Sequence, residues 1–132
     1  MTRFVRWATW LLAVGSFLGG RPVGGGPQEA PRQGIYVALY ERGPEWIAGK
    51  SVREFPNFDA HLTHLRAIET QLLGAGPFAG APDEPAVGMI IFLAATDEDA
   101  RKLAESDPFV QAKYTRVAKL LRWNIGKLKA WP

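Results

Sequence analysis

The 132-residue sequence predicts one α+β domain with the βαββαβ order of a ferredoxin-like fold. Three observations carry that expectation. Strand-like runs stand at 34–40, 87–93 and 117–128, with a shorter one inside 72–78. Two helices with capping signals fall between them, over 58–72 and 96–106. The composition, 47% hydrophobic and 22% charged, is that of a globular chain.

The first strand is "GIYVALY", where Ile35, Val37 and Leu39 alternate with Tyr36, Ala38 and Tyr40. Both faces are apolar, as in a strand covered on both sides. Residues 41–57 carry Gly43, Pro44, Gly49 and Pro56 and read as a long loop, pinned by Trp46 and Phe55. The first helix spans Phe58 to Leu72 by its apolar spacing, with Asn57 or Asp59 as N-cap. Thr63, Arg66 and Thr70 lie on its solvated side. "LLGAGPF" then reads as helix exit and short strand, Gly74 being the stop.

"AGAPDEP" at 79–85 is a turn, and "VGMIIFL" at 87–93 is the most apolar run, hence a central strand. The second helix begins at Thr96, whose hydroxyl can cap, and Asp97, Glu98 and Asp99 favour the positive helix end. "DPFVQAKY" restarts a helical turn with Asp107 as cap and Pro108 at the first position. "VAKLLRWNIGKL" closes the sheet as a strand, with Leu121, Trp123 and Ile125 on one side. Four strands make one antiparallel sheet with both helices on one face. The other face is also apolar and needs a cover, and a second copy of the chain is the simplest one. A homodimer packed through the sheets is expected.

Residues 1–20 have the layout of a signal peptide: Arg3 and Arg6, then an uncharged run from Trp7 to Gly20. That run is shorter than the about twenty residues of a bilayer span. Residues 21–33 are a Gly/Pro-rich linker, and the folded domain is expected over 34–128. Export to the periplasm or medium is the expectation, with a cytoplasmic location if the start codon is mis-assigned. No stable membrane association is expected after leader cleavage. There is no cysteine, which excludes disulfides, thiolate ligands and a cysteine nucleophile. The net charge of +3 resides in residues 1–33, which hold four arginines against one glutamate. The remainder is neutral, so the cationic footprint of a nucleic-acid binder is missing.

The chain has two histidines, His61 and His64, both on the first helix. His61 shares its apolar stripe with Leu65, Ile68 and Leu72, while His64 sits about 60° around the helix. An imidazole on such a stripe is either a structural histidine or a general acid/base facing a cavity. Spacing of three also permits a metal, with Asp59 or Glu69 as third ligand, although no further histidine supports one. No metal or other cofactor is expected. The cations Lys113, Arg116, Lys119, Arg122, Lys127 and Lys129 run without an acid between them. They are a solvated face or, at Arg122, a contact for an anionic substrate.

Several segments together resemble the YCII-related (YciI-like) family over Gly34 to Gly126. They are "HLTHLRAI" followed by "LLGAGPF", then "ESDPFV", the closing "RWNI" and the early "RGPEW". The resemblance implies a dimeric α+β barrel and an active-site pair of histidine and aspartate. Carried onto this sequence, the pair is His61 and Asp107. Asp107 would accept a hydrogen bond from the ring and fix its tautomer. As the N-cap before Pro108 it also has a purely structural explanation. Phe78 and Phe109 follow the two motif prolines and are candidate pocket residues, or plain core. Some members of the family act on chlorinated or hydroxylated aromatic breakdown products, and muconolactone isomerases share the barrel. The implied activity is a cofactor-independent isomerase or lyase acting on a small cyclic or aromatic-derived metabolite. The alternative is a non-catalytic homodimer that binds an unknown small ligand or serves a structural role.

Overall fold

A computed structural model describes residues 32–79 and 85–127. The expected leader, most of the linker, the centre of the 79–85 turn and residues 128–132 lie outside the described residues. Four strands form one antiparallel sheet: β1 (Gly34–Arg42), β2 (Leu72–Pro77), β3 (Ala86–Ala94) and β4 (Thr115–Arg122). Their order is β2-β3-β1-β4, the ferredoxin-like arrangement used by dimeric α+β barrels. The helices are α1 (Phe58–Ala67), α2 (Asp97–Glu105) and the single turn α3 (Pro108–Gln111).

The alternation read from the sequence sorts the side chains. Tyr36, Ala38, Tyr40, Ile90 and Phe92 are buried on the helix-covered face. Tyr36 pairs with Phe92 across the β1–β3 ladder, and their rings stack 6.1 Å apart. Ile35, Val37 and Leu39 point the other way, beside Leu93, Ile91 and Met89 of β3. They remain half-buried because no element among the described residues covers that face.

The two helices meet the sheet differently. In α2, Ala100 and Ala104 are fully buried, and their small side chains let the helix lie close on the strands. Thr96 caps α2 by accepting the Asp99 N–H at 3.0 Å. In α1 no residue is buried, so this helix stands off the sheet. Its Asn57 occupies the N-cap position without a side-chain cap bond.

Three boundaries differ from the sequence reading. The first helix ends at Ala67, not Leu72, because the sheet claims Leu72 for β2, where it pairs with Phe92. Gly74 lies inside β2 beside a register shift instead of stopping the helix. The last strand begins at Thr115 and ends at Arg122. Trp123 makes one more bond, from its N–H to the Ile35 carbonyl at 2.7 Å, and Ile125 lies beyond.

Candidate functional site

The standoff of α1 leaves a cavity of about 260 Å³ between that helix, the 3-10 turn Val52–Glu54, and the β2–β3 side of the sheet. Its walls are mainly apolar: Phe58, Leu62, Leu65, Val87, Ile90 and Phe109. Gly88 keeps the floor low. A Cβ there would stand 2.8 Å from the Gly76 carbonyl, closer than side chains tolerate. The polar and charged lining groups are Tyr40, Arg53, His61, Asp107 and Thr115.

His61 and Asp107 meet at this cavity although 46 positions separate them in the chain. The ring Nδ1 lies 3.0 Å from Oδ1 and 2.9 Å from Oδ2 of the carboxylate. An ionised carboxylate only accepts, so Nδ1 is the donor, and in the neutral ring Nε2 keeps the lone pair. Phe109 fixes the plane of the ring from one side. Its own ring stacks on the imidazole at 4.5 Å and 5°. Phe58 adds a tilted contact at 6.3 Å.

Asp107 is nearly inaccessible, its side chain 5% exposed, while the His61 side chain is 20% exposed and reaches the cavity. Oδ1 of Asp107 also accepts the Phe109 N–H at 2.8 Å, which caps α3. Capping and pairing with the histidine are thus done by one carboxylate. Phe109 in turn packs edge-on against Phe55 and Tyr114, and Trp46 closes over Phe55 at 4.9 Å. The long loop after β1 is pinned by the two aromatics its sequence offered.

Tyr40 lies in the same wall with its hydroxyl donating to the Ala104 carbonyl at 3.1 Å. Burial, and then the Asp107 charge, push its pKa well above the ordinary 10.0. It is a neutral, fixed phenol and not a proton source near neutrality.

The remaining candidates lie elsewhere. Phe78 is outside the cavity lining and 44% exposed. Arg122 lines a separate surface cleft with Tyr36, Asp97 and Arg101, on the α2 side of the sheet. His64 does not line the cavity, and its Nε2 is buried without a hydrogen-bond partner among the described residues. Among the described residues no cluster of acids and histidines is arranged to hold a metal. The cation that does line the cavity is Arg53, which sequence reasoning left inside a loop. A signal was present. "SVRE", Ser51 to Glu54, has the S-x-x-E spacing of a capping box, which marks a helical turn.

No family model matches this chain, and no curated protein matches it. A solved structure does: 5-chloro-2-hydroxyhydroquinone dehydrochlorinase, TftG, from Burkholderia phenoliruptrix AC1100, in complex with 2,5-dihydroxybenzoquinone. The TM-score is 0.56 at 23% identity, over 70% of this chain and 95% of that one. At this identity the likeness is one of fold: the chain has the ferredoxin-like α+β architecture of that protein.

Proposed function

We propose that the chain is a YCII-related enzyme that moves a proton on a small cyclic or aromatic-derived metabolite, without a cofactor, as an isomerase or lyase. The observation that supports this most is the two-oxygen grip of Asp107 on His61 Nδ1 at the edge of an apolar cavity. That grip leaves Nε2 as the base. It takes a proton from a ring carbon or hydroxyl of the substrate, and the electron pair moves into the ring system. In an isomerisation the same imidazolium returns the proton to a different atom. In an elimination the pair expels a leaving group instead, and His61 later loses its proton to water. Asp107 stabilises the imidazolium formed between these steps. The apolar walls lower the polarity around that ion pair and strengthen it. The activity in the name of TftG, a dehydrochlorinase, is of the elimination class, which favours a lyase.

The functional unit in this proposal is a homodimer joined through the open sheet faces, and the chain is exported. The test begins with binding of 2,5-dihydroxybenzoquinone and related hydroxylated or chlorinated rings, followed by turnover of those that bind. His61→Gln and Asp107→Asn should each abolish most turnover. Turnover unchanged in both variants sinks the proton-transfer reading. Ligands that bind the wild type but are never turned over would make the chain a binding protein. Native protein from the source cell should begin within residues 16–34, and an intact Met1 would count against export.

A further inference from the structure

We infer that Arg53 makes the cavity selective for small rings that carry an anionic oxygen, so the substrate class is an oxyanion and not a neutral ring. The inference rests on the reading of this cavity as the substrate site.

The side chains of fixed charge in the lining are Arg53 and Asp107. The Asp107 carboxylate is committed, since it accepts from His61 Nδ1 and from the Phe109 N–H. Its side chain is only 5% exposed, which leaves little of it to a cationic ligand. Arg53 is in the opposite situation. The nearest acid in sequence, Glu54, turns back and accepts the Ser51 N–H at 2.8 Å. No carboxylate among the described residues forms an ion pair with Arg53. By contrast, Arg101, Lys102 and Arg116 are each paired with a glutamate.

The turn that carries Arg53 is locked at both ends of a capping box. Ser51 Oγ accepts the Arg53 N–H, and Glu54 holds the Ser51 N–H. The turn fixes the point from which the Arg53 side chain leaves the backbone, and its planar guanidinium matches the two-oxygen geometry of an oxyanion. The ligand's ring then rests on the Leu62, Leu65 and Ile90 wall, and its charged oxygen meets the guanidinium. Negative charge that grows on such a ring during proton abstraction is stabilised by the same cation. Arg53 is solvent-exposed, so water weakens the pairing and the expected selectivity is about tenfold.

Calorimetric titration of the full chain tests this with three probes. They are 2,5-dihydroxybenzoquinone, which is ionised at neutral pH, its neutral dimethoxy analogue, and benzoate. The wild type should bind the dihydroxy compound about tenfold more tightly than the dimethoxy compound, and added salt should narrow the gap. Arg53→Gln should erase the preference and its salt dependence, and Arg53→Lys should keep part of both. Benzoate bound in an Arg53-dependent way supports the oxyanion class with a carboxylate as source. Benzoate that fails while the quinone binds supports a ring oxygen. Equal affinity of the wild type for charged and neutral quinones overturns the inference. So does undiminished binding by Arg53→Gln, or no binding of any probe at millimolar concentration. His61→Gln separates this from the proton-transfer reading. If turnover is never found but the Arg53-dependent preference persists, catalysis falls and selectivity stands. If His61→Gln abolishes turnover while Arg53→Gln binds like wild type, the reverse holds.

Discussion

Asp107 accepts the Phe109 N–H and the His61 ring N–H with one carboxylate, and substitution pulls the two roles apart. Asparagine retains an oxygen for the cap but no charge to stabilise an imidazolium. Asp107→Asn should therefore keep a denaturation midpoint near wild type while turnover falls about a hundredfold or more. Asp107→Ala should lose turnover and also about 1 kcal/mol of stability with the cap. Equal stability losses in the two variants would mean that the cap is not held through the oxygen. Tyr40 makes a second prediction. Its pKa is raised in the folded state, by burial first and the Asp107 charge second, above an unfolded value of about 10. Below pH 10 the phenol is protonated in both states and its contribution is whole. As pH rises further the unfolded chain ionises first, so stability falls until the folded value is passed. Urea unfolding measured above pH 10 should fall with pH, and Tyr40→Phe should flatten that fall by about 1.4 kcal/mol per pH unit. The same variant should cost about 1 kcal/mol at neutral pH, through the lost bond to Ala104.

At the scale of elements, the two main helices are held by different means. Thr96 caps α2 with a 3.0 Å bond, whereas Asn57 makes no side-chain cap for α1. Thr96→Ala should cost about 1 kcal/mol and Asn57→Ala much less, read from chemical denaturation of both. The loose seating of α1 is what opens the cavity, so the less buried helix carries the histidine. Local signals in the sequence mark these elements well where they are strong. The alternation in "GIYVALY", the Thr96 cap and the Asp-Pro start of α3 all stand where the pattern put them. The length of α1 was not legible. The helical period runs on to Leu72, but pairing with Phe92 of β3 is a tertiary gain that local spacing does not record. The meeting of His61 with Asp107 could be named from the family resemblance. Arg53 could not, because its place depends on how a loop with two prolines and two glycines folds back. The capping box at Ser51 was the local clue, and it indicates a turn without saying what the turn faces.

At the scale of the whole molecule, the sheet has one face under helices, and among the described residues no element covers the other. Val37 and Ile91 are partners at its centre, and Leu121 beside Val37 is 51% exposed. Trp123, at the end of the same row, is 41% exposed. Large apolar side chains gathered on one flat face are expensive to leave in water, at about 25 cal/mol per Å². A second copy would present the same pattern and, in the proposed homodimer, cover it isologously about a two-fold axis. The proposed homodimer therefore predicts a sedimentation mass of two chains at micromolar concentration. Val37→Arg places a charge at the centre of that face, where burial against a partner leaves it unpaired. In a monomer the same side chain reaches solvent, so the fold itself should tolerate it. Expected, then, is a shift to the mass of one chain with an unchanged circular dichroism spectrum. Lys119 lies on the same face opposite Leu39 and supplies a control. Lys119→Ala removes a cation from the face and should leave the dimer intact or tighten it. A wild-type chain that sediments as a monomer throughout the accessible concentration range would refute the dimer. It would also leave the exposed Leu121 and Trp123 as a surface awaiting some other partner.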